Sequence, residues 1–476
     1  MVRTRFSPSP TGFIHIGGVY SALLDYAFAQ KHRGKFIIRI EDTDQKRFVK
    51  EAEEKVYQGL DWLGIAADES PKKGGSYGPY RQSERLKLYQ KYAQKLVARG
   101  DAYYCFCSPE RLARVRKESQ KKGLPPMYDR HCRNLDPTKA AAQAQKQKHV
   151  VRLKVPFREK IVVKDLIRGN VVFESKTIDD QVLLKSDKFP TYHLAVVVDD
   201  HLMKITHVVR GEEWLPSAPK HVLLYRFLGW KMPLLLHTPT IRDKSRKKFS
   251  KRLGHASVDW YRENGYLPAA VLNCLCLLGW SHPKQREIFS LKEFIRLFDL
   301  KDLSPVGPIF DLKKLDWMNG AYIRQMKNEQ LAKRLKTFAP RGMNIGLIKQ
   351  TVPLVRERIK KLTDYSDLVR FLVQKPTSEL DDLVPKNKNA SETKAILKLI
   401  SDEMEKFLAK NWQAKKMETK LLVVADKTDW KRTDFFQVFR VAITGQKVSP
   451  PLFESIELLG RPETLARLKS ATRLLS

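Results

Sequence analysis

The stretch SPTGFIHIGG, Ser9 to Gly18, places an imidazole and a glycine pair between two apolar runs, where a first strand should pass into a first helix. With Arg3 to Ser7 as that strand and Gly17 opening the helix, the loop presents Thr11, His15 and the free amides of a helix N-terminus together. Such an end attracts phosphate through its N–H groups and its macrodipole. Gly17 and Gly18 would let a nucleotide approach the backbone, and His15 can donate to a phosphate oxygen where charge develops. Alone, a His in a Gly-rich turn is more often structural than catalytic.

A second feature changes the balance. RDKSRKKFSKR, Arg242 to Arg252, holds seven basic residues in eleven and a single acid. Lys248, Ser250 and Lys251 in this run suit the triphosphate of a nucleotide seated on the first loop and the charge of departing pyrophosphate. Taken alone, a solvated basic loop or a nucleic-acid contact is the plainer reading.

The elements that must bring these segments together read as α/β. FIIRI, Phe36 to Ile40, is a buried strand that ends in the acidic cluster EDTD, and ligands bind at that end of open α/β sheets. Helices follow, one with Val56, Leu60 and Leu63 on a face and a stop at Gly64, one from a Ser83 cap to Gly100. From Asp101 to Gln147 the texture changes to Cys, charge and Ala/Gln/Lys, as in an insertion. Strands resume at VVRLKVPF, KIVVKDLIRGNVVFES and DQVLLKS, and PTYHLAVVVDDHLMKITHVVRGEEWL reads as two further strand-like runs. Beyond Asp316 the period is helical; SPPLFESIELLG shows a Ser449 cap, prolines in the first turn and a Gly460 stop.

A chain of 476 residues exceeds one hydrophobic core and should divide into two to four domains. Its hydrophobic fraction of 42% with no long apolar run predicts a soluble protein, and the leader-free start and five Cys predict a reducing, cytoplasmic setting. The formal charge of +36 favours a polyanion partner, most simply nucleic acid, unless the whole proteome is basic.

HIGG and KFSKR, at this separation with strands between, resemble the two signature motifs of class I aminoacyl-tRNA synthetases. RFSPSPTGFIHIGG, RIEDTD, GPYRQSERL, PTYHLAVVVDDHLMKITHVVRGEEW, FDLKKLDWMNGAYI and FRVAITGQKVSPPLFESIELLG resemble the bacterial-type glutamyl-tRNA synthetases almost end to end. The resemblance implies a Rossmann-type catalytic domain in two halves (1–100 and 189–240) around an acceptor-binding insertion (101–188). A stem-contact region (241–322) and an all-α anticodon-binding domain (323–476) would follow. It implies ATP with Mg²⁺, L-glutamate and tRNA(Glu) as ligands, a glutamyl-adenylate intermediate, activation that depends on tRNA, a monomer, and no membrane.

By the same resemblance His15, Gly17 and Gly18 hold ATP, and Lys248, Ser250 and Lys251 hold its phosphates, Lys251 above all facing the leaving group. Arg5, Ser9, Glu41, Tyr192 and Arg210 would line the glutamate pocket, Arg pairing carboxylates and Glu41 the amine. Gly18 stands in place of a second His, Phe249 in place of Met or Leu, and Val196 where some members carry Asn. Some members bind zinc in the insertion. Here Cys105, Cys107 and Cys132 offer three thiolates, Asn134 replaces a His, and Tyr128 or His131 could complete a structural site; unligated thiols are the alternative. Arg356 and Arg358 fall where the family approaches the anticodon, or lie on a solvated helix face. The rival readings are a glutaminyl enzyme, whose anticodon region would be β-rich, and an inactive RNA-binding derivative.

Overall fold

In a computed structural model, residues 1–475 are described apart from 11, 13, 46–48, 250–256 and 377–379, so Thr11, Ser250 and Lys251 lie outside the described residues. The chain divides into two units, Met1–Tyr261 with Val271–Leu312, and Arg262–Ala270 with Lys313–Ser476.

In the first unit, β1 (Arg3–Phe6) and β2 (Lys35–Ile38) pair in parallel, Arg3 opposite Lys35 through Phe6 opposite Ile38. A parallel pair needs a crossover, and α1 (Ile16–Lys31) supplies it. α2 (Lys50–Leu63) buries Val56, Leu60 and Leu63 and closes at Gly64, whose φ of 73° favours glycine. α3 (Leu86–Ala98) follows a 3-10 turn over Gln82–Arg85, and Ser83 does not cap it. Instead the Ser83 amide and hydroxyl both donate to the Asp42 carboxylate, at 2.8 and 2.6 Å, which ties Ser83 to the segment after β2.

Next come β3 (Ala102–Cys105), α4 (Pro109–Lys121), α5 (Pro137–Lys146) and β4 (Val150–Leu153), then β5 (Lys160–Asp165), β6 (Gly169–Glu174) and β7 (Val182–Leu184). Ser108 and Asp136 cap α4 and α5, each ahead of a proline at the first helical position. β3, β4 and β7 form a sheet of their own, whereas the β5–β6 hairpin does not stay with them.

α6 (Tyr192–Leu202), β8 (His207–Gly211), α7 (Ala218–Leu228) and β9 (Leu234–Thr238) complete the parallel core. β8 pairs with β9 from His207 opposite Leu234 to Gly211 opposite Thr238, and β5 joins β9 in parallel at Asp165 opposite Leu235. Thr206 N donates to Arg3 O at 2.9 Å, which sets β1 beside β8. The run YHLAVVVDDHL, read as a strand from its valines, is the helix α6. Leu194 to Asp200 are all buried there, so contacts on every side of the helix override the β preference of Val.

The second unit forms no strand among its described residues. Its core gathers Leu397, Ile400, Met417, Leu421, Phe435, Phe439, Ile456 and Leu468, all fully buried. Asn389 and Glu392 make a reciprocal capping box for the helix Ala390–Glu405. The helix after SPP begins at Leu452, with Pro451 rather than Ser449 at its N-cap. Ser449 is buried and its hydroxyl accepts from Arg440, an interaction between residues that the local pattern cannot show.

Candidate active site

A cavity of about 660 Å³ opens where the C-terminal ends of β1, β2, β8 and β9 meet the N-terminus of α1. Arg5, Ser9, Glu41, Tyr192 and Arg210 line it, and so do His15, Gly17, Gly18 and Lys248. Both sets of described residues singled out in the sequence therefore border one space.

On one wall, folding immobilises the charges. Arg5 donates from Nε and Nη2 to Asp200 at 3.1 and 3.4 Å. Asp200 also receives the fully buried Arg39 at 2.7 Å, and the other edge of Arg39 reaches Glu41 at 3.0 Å. Burial opposes ionisation of Asp200, but Arg5 and Arg39 outweigh it and hold its pKa below the ordinary value. Burial raises the pKa of Glu41 despite the same two cations. Asp199 holds Arg85, Gln82 and Tyr89 at 2.7, 2.9 and 2.8 Å, so the acidic pair of α6 serves as a buried clamp for its neighbours.

Arg210, at the end of β8, is nine-tenths buried. Its Nε donates to His237 at 2.9 Å, and its Nη1 faces Tyr192 OH at 3.0 Å and His221 Nδ1 at 3.3 Å. Its Nη2 is buried without a partner among the described residues. An orphaned cationic donor costs free energy unless a ligand satisfies it. The orphan therefore marks a place for an anionic oxygen.

The opposite side is built on α1. His15 Nδ1 accepts from Gly17 N at 3.0 Å, so in the neutral ring the proton sits on Nε2. His15 O takes the amides of Gly18 and Val19 at 2.8 and 3.0 Å. The amides expected to be free for phosphate are thus largely occupied, because the His cap satisfies the helix end locally. A Cβ on Gly17 would come within 3.2 Å of that Nδ1, whereas one on Gly18 would make ordinary contact with Phe6. The His15 ring meets Phe249 edge-on at 6.0 Å, and Phe249, buried, also meets Phe310 at 5.2 Å. Phe249 joins the two sequence motifs, while Lys248 beside it stays exposed.

The residues match the model for tRNA synthetases class I (E and Q), catalytic domain, over 1–317, and an anticodon binding domain over 330–472. Glutamate–tRNA ligases of Acidothermus cellulolyticus and Thermus thermophilus are 46% and 45% identical over 99% of this chain, spanning 96% and 100% of their own lengths. The chain belongs to the glutamate–tRNA ligase family. A glutamate tRNA ligase from Elizabethkingia meningosepticum, solved in complex with its amino acid, superposes with a TM-score of 0.88 at 34% identity, covering all of both chains.

Against this family background, sequence reasoning missed several residues of the wall. Ser7 lines the cavity with a buried hydroxyl that has no partner among the described residues; the alternation Arg5, Ser7, Ser9 along an extended segment was the available signal. His221, His237 and Asp165 carried none, being scattered singly through three elements.

Two expected sites lie elsewhere. Cys105, Cys107 and Cys132 place their sulfurs within 4.8 Å of one another, and Tyr128 OH lies 3.3 Å from Cys105 Sγ and from Cys107 Sγ. His131 is exposed and takes no part in the cluster. In the second unit Arg356 is half-buried and donates to Met326 O at 2.8 Å and to Asn328, while Arg358 is exposed.

Proposed function

We infer that this chain activates L-glutamate with ATP and transfers it to the 3′-terminal adenosine of tRNA(Glu). The observation that carries this reading is the single cavity with a guanidinium-rich wall at one side and the His15–Phe249–Lys248 corner at the other. A substrate with two carboxylates and one ammonium suits Arg5, Arg210 and Glu41, with Tyr192 OH and Ser9 beside them. His15 Nε2–H and Lys248, with Ser250 and Lys251 of the same motif, would hold the ATP phosphates, and Mg²⁺ would enter as the ATP complex.

In the first step a glutamate carboxylate oxygen attacks the α-phosphorus, the bond to the bridging oxygen breaks, and pyrophosphate leaves with its charge on the basic motif. In the second the terminal ribose hydroxyl attacks the acyl carbon, loses its proton, and displaces AMP. Both steps ask the protein for positioning and charge stabilisation rather than a nucleophilic side chain. The helical second unit supports the glutamyl reading over the glutaminyl one, with Arg358, exposed, better disposed than Arg356 toward an anticodon.

The cysteine cluster suits a structural zinc. Tetrahedral Zn–S bonds of about 2.3 Å require sulfurs roughly 3.8 Å apart. Cys107 and Cys132 stand at 3.6 Å, and Tyr128 supplies a fourth donor. No helix among the described residues is long and apolar enough to cross a membrane. None of the five cysteines is in a disulfide, which suits a reducing cytoplasm, and we take the working form to be a monomer.

The deciding experiment is glutamate-dependent exchange of pyrophosphate into ATP, with and without tRNA and with glutamine as control. Exchange with glutamate only when tRNA is present is the expected result. Exchange with glutamine would transfer the chain to the glutaminyl reading, and tRNA binding without exchange would favour an inactive RNA-binding protein.

A further inference from the structure

We propose that Asp165 and His237 are positioning residues that aim the Arg210 guanidinium at the substrate carboxylate. The proposal deepens the functional reading above and rests on it.

A guanidinium has five N–H donors. In Arg210, Nε–H goes to His237 Nε2 at 2.9 Å, and the two Nη1 hydrogens face Tyr192 OH at 3.0 Å and His221 Nδ1 at 3.3 Å. Three donors are committed, so the two on Nη2, buried and without partner among the described residues, are those left for a ligand. His237 is what fixes the Nε edge. Because its Nε2 accepts, the neutral ring carries its proton on Nδ1, which donates to Asp165 Oδ2 at 2.7 Å.

Asp165 is in turn fully engaged. Its Oδ2 also accepts the His237 amide at 2.9 Å, and its Oδ1 accepts the amides of Ile167 and Arg168 at 3.1 and 3.0 Å. Arg168 then closes the loop by donating to His237 O at 3.2 Å and to Glu212 at 2.6 Å. Asp165, His237 and Arg210 are all nine-tenths buried or more, so the chain from the β5–β6 turn to the cavity has little rotational freedom. Burial also keeps the His237 pKa below its ordinary value, so near neutral pH the ring stays an acceptor for Arg210 and does not become a competing cation. Oriented through an imidazole in this way, a cation loses little conformational entropy on binding its carboxylate.

The test uses the full chain in tRNA-supported exchange, reading KM for glutamate and for ATP separately. His237→Leu removes the acceptor and should raise KM for glutamate about tenfold to a hundredfold, with KM for ATP within about twofold. His237→Gln places an amide oxygen near Nε2 and should recover glutamate KM to within about fivefold. Asp165→Asn keeps one acceptor, for the Ile167 and Arg168 amides, but sets an NH₂ against the His237 amide and Nδ1 and loses the charge, and should raise glutamate KM about threefold to tenfold. A structural role alone would move both KM values or neither.

Unchanged glutamate KM in His237→Leu, an equal rise for both substrates, or a Gln variant no better than Leu would overturn the proposal. If His237→Leu does not melt cooperatively, Asp165→Asn decides on the same readout, and no glutamate-specific rise there overturns it. A wild-type chain with no glutamate-dependent exchange overturns the functional reading and the proposal with it. A wild type that exchanges alongside unaffected variants overturns the relay alone.

Discussion

The two sides of the cavity are built on opposite plans. On the β8 wall each cation is buried and held, Arg5 by Asp200, Arg39 by Asp200 and Glu41, Arg210 by His237 and Tyr192. On the α1 side Lys248 is exposed, and the His15 ring is set by its own helix and by Phe249. A small amino acid offers few atoms, so selection among amino acids needs donors fixed before it arrives. A triphosphate carries several charges at once, and exposed lysines attract it through a longer-ranged field with less demand on geometry.

Arg210→Ala breaks the fixed wall most directly. Removing one partner of a buried, hydrogen-bonded charge arrangement should lower kcat/KM for glutamate by roughly a thousandfold, about 4 kcal/mol, with little change in ATP affinity. A comparable loss toward ATP would show that the two sides are not separate. The cysteine cluster should belong to neither side. Chelation of zinc is expected to lower stability by about 3 kcal/mol, read by thermal melting beside metal analysis, while glutamate KM in the protein that stays folded is unchanged. A metal-free protein with an unaltered melt contradicts that assignment.

Lys248→Ala tests the exposed side and should cost about 2 kcal/mol, some thirtyfold in kcat/KM for ATP. The wild-type ATP step should also weaken with added salt more than the glutamate step does. An equal salt response of both steps would remove the distinction.

The remaining effect is on stability. His193, with its pKa lowered to about 3, and His221 and His237, also lowered, are kept neutral first by burial; nearby cations add to this, Lys220 and Arg210 at His193 and Arg210 at the other two. The unfolded chain binds protons on these rings below about pH 6.5 while the folded chain does not. Stability is therefore whole above that pH and declines as pH falls, by up to about 1.4 kcal/mol per pH unit for each ring that stays neutral. Urea midpoints between pH 7 and pH 5 measure it, and a flat profile would show that the rings protonate in the fold.

Legibility followed the same division. His15, Gly17, Gly18 and Lys248 stand in compact motifs whose residue types and spacing pointed to phosphate chemistry, and Glu41 lies in an acidic cluster at a strand end, whereas Arg5 came only through the family resemblance. Asp165, His237 and His221 are single residues in β5, β9 and α7, and nothing within a few positions of any of them hints at Arg210. The same limit explains Ser83 and Ser449, two plausible helix caps whose hydroxyls found Asp42 and Arg440 instead. α6 was misread because three consecutive valines favour a strand locally, although burial around the whole segment suits a helix.

The sequence by itself determined the α/β-then-α order, the HIGG and KFSKR motifs and the family, because each depends on short-range periodicity or on contiguous residues. Only the tertiary structure decided which donors of Arg210 remain for a ligand, that the α1 amides are already capped, and that the β5–β6 hairpin joins the catalytic sheet. Those outcomes turn on competition for hydrogen bonds and burial, largely among groups far apart in the chain, and such competition is resolved only when the core closes.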